Sequence, residues 1–193
     1  PRYCVAWGGI ADALTVMAYS GAARGSESKA QAMTAARRSI ELDPTSAVGH
    51  TALACATLLY ENNRAMAKHE FERALELNPY YGMGRCWYAI FYLIWSRGDF
   101  EHGIAEARRA LASDPLSAYV TMSLGVGLFT AGHLDEAIET CRRAIQLDAE
   151  SFVSRWALGM ALGMAGRFEE AGSTLDAAAE MSRRHPLALT GLG

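Results

Sequence analysis

Residues Ala118–Ser151 read AYVTMSLGVGLFTAGHLDEAIETCRRAIQLDAES, a stretch with two different patterns. Residues 117–131 include no Asp, Glu, Lys or Arg, whereas residues 134–147 alternate apolar and charged side chains at steps of three and four. Such steps place the apolar side chains on one face of a helix. Gly132, between the two parts, can adopt the left-handed conformation that ends a helix. The stretch therefore predicts two helices joined by a tight turn.

Small residues lie where these two helices should touch. Gly125 is on the first helix, and Ala137 and Ala144 lie seven residues apart on the second. Two backbones can approach closely where side chains are small, so we expect the helices to pack as a hairpin. A single hairpin cannot bury both of its faces, and it needs a similar hairpin beside it.

Similar segments recur along the chain, and each closes on a turn-forming dipeptide. These dipeptides follow one another at intervals of 35, 36 and 34 residues: Asp43-Pro44, Asn78-Pro79, Asp114-Pro115 and Asp148-Ala149. The period and the residue pattern together resemble the tetratricopeptide repeat family. The copy quoted above matches the family pattern at Thr121, Leu124, Gly125, Leu128, Ala137 and Cys141.

The resemblance implies an all-α fold, a right-handed α-solenoid of about five helix-turn-helix hairpins. We expect one domain over residues 1–193, with hairpins at about 1–43, 44–78, 79–114, 115–148 and 149–184. Residues 185–193 look like the start of a further helix, so the native chain is expected to continue. The Gly- and Ser-rich stretch 21–28 is predicted to be a mobile loop.

Composition argues against several classes of function. A net charge of −3 and an isoelectric point near 6.0 indicate no basic stripe for nucleic acid. The four cysteines have no C-x-x-C spacing and lie at apolar helical positions, which favours free thiols in a reduced, cytoplasmic protein. The charge-free run 116–132 is too short and too rich in Gly, Ser and Thr for a membrane span.

The sequence contains no recognisable catalytic, metal-binding or cofactor-binding motif. His69-Glu70 is not followed by a second histidine at metalloprotease spacing. The remaining histidines are scattered singly, and the glycine pairs lie inside predicted helices rather than after a strand. We therefore expect no enzyme activity, no metal and no cofactor.

One feature points to binding. In the tetratricopeptide family the first helices of the hairpins line a concave groove, and here a second apolar stripe on those helices would face it. This set, called the inner stripe below, consists of Thr51, Cys55, Leu58, Met83, Cys86, Ile90, Tyr119, Met122, Val126, Phe129, Val153, Trp156 and Met160. It lacks the Lys, Arg and Asn that family members use to clamp acidic peptide tails. An apolar helix or extended peptide is the better fit.

Two other interpretations of the inner stripe stay open. It can be ordinary core, covered by neighbouring helices, or it can be filled by the chain's own continuation or by a second copy. Four segments also resemble the repeats attached to bacterial signalling and regulatory proteins: FERALELNP (71–79), WYAIFYL (87–93), ALASDPLSAYV (110–120) and LGVGLFTAGHLDEAIE (124–139). We therefore expect an interaction module or scaffold for a protein or peptide, an arm of a larger bacterial regulatory protein. Self-association into a homo-oligomer is the alternative.

Overall fold

The computed structural model describes residues 3–19 and 25–191. Every regular element in these residues is a helix, and the described part of the chain contains no strand, which confirms the predicted all-α fold. The chain forms two compact units, residues 1–97 and residues 98–193. The prediction of one domain over 1–193 stays a prediction.

The first unit contains five α-helices and one π-helix among its described residues. Their bounds are α1 Cys4–Tyr19, α2 Gly25–Leu42, α3 Ala47–Glu61, α4 Arg64–Leu77, α5 Gly82–Trp87 and the π-helix Tyr88–Ser96. Sequential helices pack as pairs, α1 on α2 and α3 on α4. The first helices of the pairs also touch, since α3 contacts both α1 and α5.

The second unit repeats this arrangement. Its helices are α6 Phe100–Ser113, α7 Ala118–Thr130, α8 Leu134–Leu147, α9 Phe152–Met164, α10 Phe168–Met181 and α11 Pro186–Leu189. Helices α7 and α8 pair, as do α9 and α10, and α7 also contacts α9. Helices α7 and α8 lie within residues 115–148, and α9 and α10 lie within residues 149–184.

Capping serines and turn glycines mark where the helices begin and end. Ser117 and Ser151 cap α7 and α9, because each side-chain oxygen accepts a hydrogen bond from the backbone N–H three residues later. Gly132 and Gly166 have φ of +86° and +75°, the left-handed conformation that lets the second helix of each pair start at once. The hairpin turns are therefore built from local chemistry.

The segment 88–96 differs from the ordinary helix expected there. It is a π-helix of sequence YAIFYLIWS that continues α5. Its aromatic rings pair at four-residue steps: Tyr88 and Tyr92 stack with centroids 5.5 Å apart, and Phe91 and Trp95 meet edge-on at 5.2 Å. All-apolar segments carry no polar face whose period would distinguish a π-helix from an α-helix.

The prediction of a loop over residues 21–28 was wrong in its second half. Helix α2 begins at Gly25, so residues 25–28 are helical, whereas residues 20–24 lie outside the described residues. Gly and Ser favour loops, but both are also accepted at the start of a helix. Residues 185–193, where the sequence predicts the start of a further helix, contain the short helix α11, and residues 192 and 193 lie outside the described part.

Candidate binding surface

The inner stripe lies on the first helix of successive pairs, and each unit carries part of it. In the first unit, α3 carries three of its residues, and α5 with the π-helix carries three more. In the second unit, α7 carries four and α9 carries three. Because α3 packs on α5 and α7 packs on α9, each unit brings its own stripe residues onto adjacent helices.

In the first unit the stripe is almost closed. Thr51, Cys55 and Cys86 are fully buried, and Leu58 and Ile90 are also buried. A Cβ added at Gly84 on α5 would lie 2.7 Å from Oγ1 of Thr51, so α3 and α5 meet closely at this point. The interpretation of the stripe as core therefore describes these residues well.

Met83 is the exception in the first unit, because its side chain is half-buried. It lies in the first turn of α5, where the flexible thioether can adapt to different neighbours. This residue is the part of the first unit's stripe that a partner could reach without any rearrangement.

The second unit leaves more of its stripe accessible. Met122, Val126 and Phe129 on α7 are buried, but Tyr119 at the start of α7 is half-buried. On α9 all three stripe residues are half-buried: Val153, Trp156 and Met160. Large, partly exposed side chains on two adjacent helices are what a docking surface needs.

Trp156 also contacts the C-terminal segment of the chain. Its indole Nε1–H donates a hydrogen bond to Oγ1 of Thr190 at 3.1 Å, just beyond α11. Its ring packs with Leu189 against the buried Ala178, Ala179 and Ala188. The C-terminal segment of the chain, residues 188–190, therefore occupies one side of this tryptophan.

Asp12 is a feature that the sequence patterns did not single out. It lies on α1, and its Oδ1 is buried without a hydrogen-bond partner among the described residues. Burial raises the pKa of Asp12 to about 7. A single charge in an otherwise uncharged first helix was the available signal, and buried acids of this kind are often functional.

Apolar pockets lie at helix pairs in both units. One of about 390 Å³ is lined by α1 and α2, with Trp7, Ile10 and Leu14 on one wall. Another of about 450 Å³ is lined mainly by α9 and α10, and includes Met164 and Phe168. Phe168 is 74% exposed and Met164 is 52% exposed, so this surface presents large apolar side chains to solvent.

The described residues offer neither a metal site nor a membrane span. No group of three or more His, Cys, Asp or Glu side chains there could hold a metal ion. Within the same residues, the helices are all too short or too polar to cross a membrane.

Comparison with known proteins identifies the kind of repeat that this chain contains. The model of the tetratricopeptide repeat family matches residues 88–152. No curated protein matches the chain significantly. Among solved structures, TTC0263, a thermophilic protein with these repeats from Thermus thermophilus, is 20% identical with a TM-score of 0.73, and the match covers 92% of this chain and 96% of that one.

Two further structures resemble the chain. PilF of Pseudomonas aeruginosa is 18% identical, with a TM-score of 0.62 and coverage of 96% of this chain and 90% of that one. YrrB, described as having an unusual peptide-binding site, is 20% identical, with a TM-score of 0.58 and coverage of 87% and 85%. At these identities the likeness concerns the fold, and the predicted solenoid class is confirmed.

Proposed function

We propose that this chain, a member of the tetratricopeptide repeat family, is an interaction module that binds a polypeptide through its inner stripe. The observation that carries this proposal is the group of half-buried residues on α7 and α9. Tyr119, Val153 and Met160 offer apolar surface that the chain's described residues leave partly uncovered. Proteins of this architecture use the extended surface of their stacked repeats for binding.

The chemistry of this surface indicates the kind of segment it accepts. Helix α7 carries no charged residue, and the buried Met122, Val126 and Phe129 form an apolar floor beneath Tyr119. An aromatic anchor with an adaptable methionine nearby suits apolar side chains of varied shape. The expected ligand is therefore an apolar or amphipathic segment, in a helical or extended form.

The proposal includes a cellular setting. An array of this kind would be an arm of a larger bacterial regulatory protein in the cytoplasm, supported by the resemblance described for its sequence. The four cysteines are free, as expected of a reducing compartment. A protein or peptide is the proposed partner, and nucleic acid is not, because the net charge is −3.

A selection of displayed random peptides tests the proposal. Peptides that bind the chain would be titrated against wild type and against Tyr119→Ala, which removes the aromatic anchor at the start of α7. We expect the substitution to weaken binding by about tenfold or more. The matched control is Tyr80→Ala, which removes an exposed tyrosine ring outside the inner stripe and should leave affinity unchanged. Equal affinity of wild type and Tyr119→Ala would contradict the proposal.

Self-association is a second candidate, and the exposed surface of α9 and α10 favours it. Met164 and Phe168 lie beside the 450 Å³ pocket without a covering helix among the described residues. Sedimentation of the chain alone tests this candidate. A homo-oligomer that Phe168→Glu converts to monomer would support it, whereas a monomer at all concentrations would exclude it.

A further inference from the structure

Asp12 takes a repeat position that is apolar in every other copy. In the repeat pattern Trp7 of the first copy corresponds to His50 of the second, and Asp12 and Cys55 each lie five residues later. The residues at this position in the five copies are Asp12, Cys55, Ile90, Val126 and Met160. The last four belong to the inner stripe, so Asp12 is the one charged residue in this register position.

The structure places Asp12 against the stripe of the first unit. Helix α1 packs on α3, and the pKa of the Cys55 thiol is raised first by burial and second by the charge of the Asp12 carboxylate. Cys55 itself is fully buried. The carboxyl group therefore lies beside the apolar stripe rather than among the charged residues of the second helices.

The Asp12 carboxyl group lacks the donor that such a site normally contains. Its Oδ1 has no hydrogen-bond partner in residues 3–19 and 25–191, and no salt bridge in those residues reaches it. Buried acceptors are nearly always hydrogen-bonded, because leaving one unsatisfied costs the desolvation free energy of the group. The residue as a whole is half-buried and its second oxygen, Oδ2, is not enclosed in this way, so a donor from outside can approach the carboxyl group at Oδ2.

We propose that Asp12 selects the partner of the first unit, by accepting a hydrogen bond from a lysine or arginine side chain of a bound polypeptide segment. This inference rests on the function proposed above and specifies its ligand. A cation at Oδ2 donates a hydrogen bond and also offsets the negative charge of the ionised carboxylate, whereas a neutral donor offsets no charge. The aliphatic stem of a lysine or arginine would lie on the exposed side chain of Val16, one helical turn after Asp12 on α1.

The opposite charges of Asp12 and the bound lysine or arginine provide a direct test. Burial alone raises the pKa of Asp12 to about 7, so at pH 6 the free chain holds this carboxyl mainly protonated. A bound cation stabilises the ionised form and lowers the pKa. Carboxyl-carbon NMR at pH 6 would show Asp12 turning from protonated to ionised when a selected peptide is added. A carboxyl that stays protonated in the complex would overturn the inference.

Peptide selection supplies the second test. Peptides selected on wild type should carry a lysine or arginine between apolar residues, and selection on the isosteric Asp12→Asn variant should lose that preference. Affinity for a basic peptide should fall about tenfold or more in Asp12→Asn. The control is Glu61→Gln, which removes an exposed acid of the same unit and should leave affinity unchanged.

The outcomes separate this inference from the proposed function. Peptides that bind through Tyr119 without any preference for basic residues would overturn the role of Asp12 and leave the interaction module in place. A chain that selects no peptide at all would contradict both. Binding of Asp12 by a second copy of the chain would appear as a concentration-dependent fall in its pKa without peptide, and would equally overturn the proposal of a separate partner.

Discussion

Nδ1 of His50 lies 2.6 Å from Oε2 of Glu70, and Nε2 of the same ring lies 3.0 Å from the carbonyl oxygen of Pro44. Both residues of the pair are 8% exposed. Each ring nitrogen thus faces an acceptor, and only the imidazolium can donate to both. The hydrogen bond with Glu70 is the largest cause of the raised pKa of His50. The pair ties α3 to α4 and to the turn that precedes α3.

The sign of the pH dependence follows from this raised pKa. The pair contributes fully to the free energy of unfolding below the unfolded pKa of histidine, about 6.5, and the contribution is lost as pH rises through the folded pKa. Glu70→Gln should lower the pKa of His50, as measured by NMR titration of its ring. His102, whose pKa is raised by Asp99, is the control and should not change. An unaltered His50 titration in Glu70→Gln would contradict this explanation.

Gly125 and Gly172 offer a matched pair of substitutions in the second unit. A Cβ at Gly125 would collide with Sγ of Cys141 on α8, whereas a Cβ at Gly172 on α10 would meet nothing within 4 Å. Gly125→Ala should lower the free energy of unfolding by about 1–3 kcal/mol through overpacking. Gly172→Ala should raise it by about 0.5–1 kcal/mol, because alanine favours the helix. Denaturant unfolding measures both, and equal effects would show that the α7–α8 packing is misassigned.

The reactivity of the thiols tests the burial of the inner stripe. Cys55, Cys86 and Cys141 are fully buried, whereas Cys4 is half-buried. Burial raises the pKa of Cys55, and that of Cys141 to about 12, so little reactive thiolate is present at pH 8. Iodoacetamide should modify Cys4 first in the native chain, as followed by peptide mass spectrometry. Modification of Cys55 or Cys86 at the rate of Cys4 would mean that the stripe of the first unit opens readily.

Much of the fold could be predicted from local patterns. The amphipathic period of 134–147 and the turn glycine Gly132 predicted α8 to its observed bounds. Residues 25–28 were missed, because Gly and Ser occur both in loops and at the start of helices. The π-helix of 88–96 was missed as well, because a run that is apolar all round shows no period. Both missed features depend on packing between helices, which a local sequence pattern does not show.

The candidate site could be predicted only in part. Steps of three and four showed that Tyr119 and Met122 share a face of α7, but not that one is half-buried and the other buried. Burial depends on how closely the next helix packs, which the spacing of residues does not reveal. The unsatisfied oxygen of Asp12 is likewise a property of its surroundings, and the sequence alone shows only an isolated charge.

The methionine methyl groups provide the most direct test of binding at the inner stripe. The chain has eight methionines, of which Met83, Met122 and Met160 belong to the stripe, whereas Met66, Met164 and Met181 are exposed outside it. In a chain labelled with carbon-13 at these methyls, a selected peptide should shift Met122 and Met160 and leave Met66 and Met181 unchanged. Tyr119→Ala should reduce those shifts at the same peptide concentration. Shifts confined to Met66, Met164 and Met181 in the bound state would contradict binding at the inner stripe.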